Sequence, residues 1–156
     1  MRMIKVVPYD IKYKSDFEKL NRAWIEEYFK MEHEDLLILQ DPETHVLKKN
    51  GEIFFAVSDQ EAIGTAAMIS FSDGVYELSK MSVKKDFQGQ GIGRLLLNRC
   101  INFAKEKNAN EIFLLTNDIL KPALNLYLSC GFVKDRYDDH RYERGNTKMT
   151  LMLGDI

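Results

Sequence analysis

The chain has 156 residues, enough to bury a substantial core in one domain and too few for two comfortable ones. Hydrophobic residues make up 45% and charged residues 29%, the balance of an ordinary globular protein, and a formal net charge of −2 argues against general nucleic-acid binding. The two cysteines, Cys100 and Cys130, fall in apolar helical stretches, which speaks against a disulfide framework and for a reducing compartment.

Met3 to Val7 reads as a first strand, stopped by Pro8. Ser15 and Glu18 have capping-box spacing, so the first helix is expected to open there. Phe17, Leu20, Trp24 and Tyr28 recur every three to four residues between charged ones, which predicts an amphipathic helix with these four as its buried stripe. Met31 to Gln40 moves from acidic side chains to Leu36-Leu37-Ile38-Leu39, and Asp41-Pro42 offers the start of a short helix to about Lys49. From Gly51 the period becomes extended. Ile53 to Val57, Ala62 to Phe71 and Val75 to Val83 read as a meander of three antiparallel strands. A helix from about Gly91 carries Ile92, Leu96, Cys100 and Phe103 along one face. Ile112 to Thr116 is a short buried-type strand, and Pro122 opens a helix that Gly131 closes. Phe132 to Tyr137 and Lys148 to Leu153 complete the order β-α-α-β-β-β-α-β-α-β-β, a mixed α/β sheet with helices on both faces. The loop from Asp138 to Asn146 is polar and charged, so mobility is expected there.

The segment from Met81 to Leu96 is the most informative. An apolar strand ends, Gly89, Gly91 and Gly93 alternate with other residues, and a helical pattern begins at once. Such a turn presents several backbone N–H groups to one anion, and the missing Cβ atoms let a phosphate come close. A Walker loop is excluded because Arg94 and Leu95, not Lys and Ser or Thr, follow the last glycine. The dinucleotide fingerprint fails because its third glycine would fall on Arg94. What fits is Gln/Arg-x-x-Gly-x-Gly/Ala, met by Gln88, Gly91 and Gly93, with a bland tight turn as the competing reading of this segment alone. Lys84, Lys85 and Arg94 lie beside it, where a polyphosphate would find counter-charge.

In that form the loop resembles the pyrophosphate loop of the GNAT superfamily of N-acetyltransferases. Tyr76-Glu77-Leu78-Ser79-Lys80-Met81-Ser82-Val83 looks like the family's fourth strand, and Ala123 to Phe132 carries its Ala-x-x-Leu-Tyr-x-x-x-Gly-Phe pattern. Tyr142-Glu143-Arg144 followed by Lys148-Met149 is similar to a common ending of these proteins. The resemblance covers about residue 51 to the C-terminus in sequence, and the preceding residues by element order alone. It implies one acyl-CoA N-acyltransferase domain over residues 1–156, with a mostly antiparallel mixed central sheet splayed between its fourth and fifth strands.

The resemblance also implies acetyl-coenzyme A as co-substrate in that cleft. The backbone at Met81, Ser82 and Val83 would pair with the pantetheine arm, and Asn117 would bond it from the other side. Gln88, Gly89, Gln90, Gly91, Ile92, Gly93 and Arg94 would hold the pyrophosphate. Tyr127 matches the tyrosine that commonly protonates the leaving thiolate, although its helical spacing from Ala123 and Cys130 also suits a core tyrosine. Glu77 matches a glutamate that deprotonates the amine through water; an ion-paired carboxylate, with a water chain as base, fits the position equally. Strict strand alternation puts Glu77 on one face with Ser79 and Met81.

The implied activity is direct acetyl transfer, in a ternary complex, to a primary amine of a small molecule or peptide. The alternative is a non-catalytic coenzyme-A-binding sensor on the same fold. Acceptor pockets in similar proteins are built from segments that correspond to Trp24–Asp35 and Tyr137–Arg144. The acidic run Glu32-His33-Glu34-Asp35 would either draw a cationic amine or form a solvated helix end. Both cysteines read as structural rather than as acetyl carriers, and His33, His45 and His140 share no ligand spacing, so no metal is expected. The N-terminus lacks a signal-peptide pattern and no apolar run is long enough for a bilayer, which predicts a cytoplasmic protein without membrane partners. The resemblance admits a homodimer.

Overall fold

Alternation along one strand decides the layers. Between Glu52 and Ser58, Phe54 and Ala56 point to one side, Ile53, Phe55 and Val57 to the other, and all five are buried. A strand apolar on both faces must lie inside a sheet covered on both sides.

The computed structural model describes residues 3–154. Along the chain lie β1 (Ile4–Pro8), α1 (Lys14–Tyr28), α2 (His33–Gln40), α3 (Pro42–His45), β2 (Glu52–Ser58), β3 (Glu61–Ser72) and β4 (Val75–Val83). Then come α4 (Ile92–Glu106), β5 (Glu111–Thr116), α5 (Lys121–Ser129), β6 (Val133–Asp135) and β7 (Thr147–Met152). One sheet runs β1-β2-β3-β4-β5-β7-β6, and every neighbouring pair is antiparallel except β4 with β5. This is the mixed α/β architecture expected above. Phe54, Met68, Leu78 and Ile112 pack with Leu96, Leu97 and Cys100 of α4 on one face, whereas Phe17, Ile25, Leu39 and Phe55 build the core on the other. Among the described residues no helix is long and apolar enough to cross a membrane.

Several local expectations are corrected. Pro8 belongs to β1, opposite Phe54, because an edge strand tolerates a residue without an N–H. The chain turns helical before Ser15: the Asp10 carboxylate accepts from Lys12 N–H at 3.0 Å and caps a 3-10 turn that runs into α1. The buried stripe of α1 is Phe17, Asn21 and Ile25, whereas Trp24 is only partly buried against the core and Tyr28 is exposed. Asn21 is tolerated there because its amide donates to the Phe17 carbonyl at 2.9 Å and accepts from the Trp24 indole at 3.0 Å. Residues 33–40 form a helix that no usual start signal in the sequence announces. Its reciprocal cap uses Glu32 and Asp35, acidic residues in place of the Ser or Thr that usually signals a start. β6 stops at Asp135.

β4 carries a bulge. Ala67 pairs with Ser79 and Thr65 with Ser82, so two residues of β4 oppose one of β3, and Lys80 takes φ +56°. The extra residue breaks the alternation. Met81 therefore packs with Tyr76 and Leu78 against the α4 side, not on the Glu77 face as strict alternation predicts. Lys80 and Ser82 turn to the α1–α2 side, where the Ser82 hydroxyl donates to the Leu20 carbonyl at 2.8 Å.

A Cβ on Gly51 would press into the backbone carbonyls of Met68 and Val46, the latter at 2.7 Å. Gly51→Ala is expected to destabilise the fold by roughly 2 kcal/mol through overpacking, read as a lower urea midpoint at unchanged slope.

Candidate active site

The parallel pairing of β4 with β5 lasts only from Val75↔Glu111 to Glu77↔Phe113, while β5 stays paired to β7 as far as Thr116. Beyond Glu77 the two strands part. The gap is the mouth of a cavity of about 560 Å³, bounded by Leu78 to Val83 on one side and Leu114 to Asn117 on the other. Its walls come from α1, the turn before α4, α5 and the β6–β7 loop.

The residues expected at the site converge here: all of them except Gln90 line this cavity. Gly89 and Gly91 adopt φ +81° and +82°, and a Cβ on either would meet nothing within 4 Å, so the backbone lies open to the cleft. The N–H groups of residues 92–94 are the first-turn donors of α4, which have no helical acceptor, and the N–H groups of 89–91 find no backbone acceptor among the described residues. The third glycine has another cause: a Cβ on Gly93 would stand 3.2 Å from the Leu126 side chain where α4 meets α5. Gln88 folds back, donating to the Val83 carbonyl at 3.0 Å, and so braces the turn. Arg94 donates to Ser129 Oγ at 2.9 Å and to Cys130 Sγ at 3.4 Å, which ties the same turn to the end of α5.

Tyr127 sits in the wall beside Cys100, 8% exposed, and its hydroxyl has no hydrogen-bond partner among the described residues. Burial, with Cys100 close by, pushes its phenol up to about 12. Burial likewise raises the Cys100 thiol to about 12, so it is a core thiol and not a nucleophile. Asn117 bridges: its amide donates to the Arg144 carbonyl at 2.7 Å and its oxygen accepts from Ile119 N–H at 3.0 Å. The amide end ties the β6–β7 loop to the end of β5, and the oxygen shapes the turn that follows β5.

The other end of the cavity is a charge network, in which Glu77 takes the ion-paired role that its position also allows. Asp35 is wholly buried, and its carboxylate accepts from Lys80 Nζ at 2.7 Å and from two Arg144 nitrogens at 2.6 and 2.7 Å. Glu32 accepts from the backbone N–H of Glu143 at 2.8 Å and of Arg144 at 3.3 Å. Glu77 is gripped by Arg141 through both terminal nitrogens, at 3.1 and 3.0 Å, and Arg141 also binds Asp139. Two members of the acidic run, Glu32 and Asp35, are thus engaged within the protein, while His33 is exposed. The two carboxylates latch the loop. These anchors lie within the segment Asp138 to Asn146 for which mobility is expected. Lys80 carries the signal that could have revealed the network, a lysine within an apolar strand whose burial demands a partner.

Burial raises the Glu77 carboxyl above its ordinary range, with Arg141 and Lys80 pulling it back. Burial also depresses the Lys80 ammonium against the pull of Asp35. For Asp35, burial alone would raise the carboxyl, but the Arg144 guanidinium and the Lys80 ammonium outweigh it and hold the group at about 2.

Known proteins share this architecture and parts of this sequence. Residues 16–132 match the model of the acetyltransferase (GNAT) family. N-acetylaspartate synthetase of Rattus norvegicus is 34% identical over 119 residues, 75% of this chain and 39% of that protein. The chain spans about two fifths of the length of such curated relatives. An acetyltransferase of the GNAT family from Staphylococcus aureus superposes with a TM-score of 0.89 at 24% identity, covering 97% of this chain and 100% of that one. A protein of Salmonella typhimurium solved with its cofactor acetyl-CoA superposes with a TM-score of 0.80 at 17% identity, covering 98% and 95%.

The Asp35 value lies below the 3.8 of a free carboxyl, so its contribution to stability is whole above about pH 4 and is lost as the pH falls through about 2. Stability should fall by on the order of 2 kcal/mol across that window from this group. In Asp35→Asn, equilibrium unfolding at pH 4 and pH 2 should show that part of the slope gone.

Proposed function

The chain belongs to the acetyltransferase (GNAT) family, and from that premise we propose that it transfers an acetyl group from acetyl-coenzyme A to a primary amine of a small molecule or peptide. Transfer is direct, with donor and acceptor bound together in the cavity between β4 and β5. The observation that carries this reading is the turn before α4, where the N–H groups of residues 89–94 find no backbone acceptor among the described residues and all of these residues but Gln90 line the cavity.

The fit to the donor follows from geometry and charge. Unshielded amides at a helix N-terminus suit a diphosphate, and the glycines leave room above them. Beyond Glu77 the edge of β4 faces the cleft without a strand partner, so the backbone at Met81, Ser82 and Val83 can hold an amide-bearing arm as a neighbouring strand would. Acetyl-coenzyme A supplies a thioester whose leaving thiol has an ordinary pKa of about 8.5. As the amine nitrogen bonds to the carbonyl carbon, the C–S bond breaks and its electron pair stays on sulfur. Tyr127 keeps its proton at neutral pH and presents an uncommitted O–H to the cavity. Full transfer of a proton from a group near 12 to one near 8.5 is uphill, so Tyr127 acts chiefly by hydrogen-bonding the developing thiolate. The amine must shed a proton. Glu77 can take it through water, because the Arg141 fork occupies one lone pair on each oxygen and burial raises the carboxyl's affinity for a proton.

The same fork also favours the alternative, a coenzyme-A-binding module without turnover, since a clamped carboxylate is a poorer base. Thiol release in the presence of an amine panel separates the two. Tyr127→Phe should lower kcat by about 10²–10³-fold and leave the Kd for acetyl-coenzyme A, measured by calorimetry, within twofold. An unchanged kcat removes Tyr127 from the chemistry.

A further inference from the structure

The acceptor end of the cavity is lined by two cations, Lys80 and Arg144, and neither stands free. Lys80 Nζ donates to Asp35 at 2.7 Å and to the Tyr142 hydroxyl at 3.1 Å. Arg144 is forked onto Asp35 and lies over the Tyr142 and Trp24 rings, at 4.6 and 5.7 Å. The third cation nearby, Arg141, is taken up by Glu77 and Asp139. Four carboxylates, Glu32, Asp35, Glu77 and Asp139, thus engage the three cations, and none of the three is left without a carboxylate partner. The remaining wall is aromatic: Trp24, Tyr28 and Phe29 line the cavity.

We propose that Asp35 sets the charge class of the acceptor: by engaging both buried cations it makes the site fit an amine on an apolar or aromatic body and reject one that carries a carboxylate beside the amine. This rests on the acetyltransferase reading above. An amine nitrogen meets carboxylate and aromatic faces, both favourable to a cation before it loses its proton. A carboxylate on the neighbouring carbon meets Glu77 and finds its natural partners already bound, so it would lose its water without compensation. Asp35 touches no substrate in this account. It is a positioning residue that acts through Lys80 and Arg144.

The test uses a matched pair, 2-phenylethylamine and phenylalanine, which share ring and amine and differ in the carboxylate. With acetyl-coenzyme A and the unmodified protein, kcat/KM should favour 2-phenylethylamine by about 100-fold or more, mostly in KM. In Asp35→Asn that ratio should fall at least tenfold through the KM for phenylalanine, because two cations are released toward the site. A purely structural loss would depress both amines alike and leave the ratio in place. If Asp35→Asn does not fold, the ratio for the unmodified protein decides alone. Equal rates, a preference for phenylalanine or turnover of neither amine overturns the inference. Calorimetry with acetyl-coenzyme A on the same sample separates the failures: heat of binding with no discrimination sinks this inference alone, and no heat sinks the donor reading with it.

Discussion

The site depends on a failure of strand pairing. β4 and β5 are the one parallel pair in the sheet, and their register ends after three residue pairs. A parallel edge left open in a sheet interior exposes a row of backbone groups with no partner, a costly arrangement unless water or a ligand meets them. Here the opening is held by its surroundings. β5 is kept in place by six pairs with β7, β4 by its pairing with β3, and α4 and α5 pack beneath the gap. The cleft is therefore a property of the whole sheet and not of a loop.

The bulge at Lys80 determines what the cleft can do. One inserted residue sends Met81 to the α4 side and Lys80 to the α2 side within a single turn of strand. The lysine is thereby buried, and burying an ammonium requires a carboxylate. Asp35 meets that requirement from the first turn of α2, then recruits Arg144 from the last loop. Three stretches far apart in sequence become one wall. The energetic worth of such a triad is modest as a whole, because the cost of removing its charges from water offsets most of their attraction. Its effect is on geometry: the β6–β7 loop has one seat instead of many.

Around the turn before α4 the division of labour among glycines is physical. Gly89 and Gly91 occupy left-handed conformations over open space, whereas Gly93 keeps Leu126 at contact distance. Gln88 and Arg94, both polar and both read from sequence as ligand-facing, spend their side chains bracing the turn against Val83 and α5. The backbone of the turn stands open beside them, at Gly89 and Gly91. That agrees with a turn whose chemistry comes from amides and a helix end rather than from side-chain charge.

Local patterns in the chain were enough to determine the strands of the meander, the α4 stripe of Ile92, Leu96, Cys100 and Phe103, and the glycine turn between them. Each of these is set by neighbours in sequence: period two, period 3.6, or a residue without a Cβ. The helix 33–40 escaped that reading because its cap is built from two acidic side chains, and the α1 stripe was misjudged because Trp24 and Tyr28 have helical spacing yet border a cavity. Tertiary structure alone decided where Lys80 points, that Asp35 is buried, and that the charged loop 138–146 is tied down. A bulge shifts a face by one residue without leaving a periodic trace, and an ion pair spanning 45 or 109 positions has no local signature. Only folding brings such partners within reach.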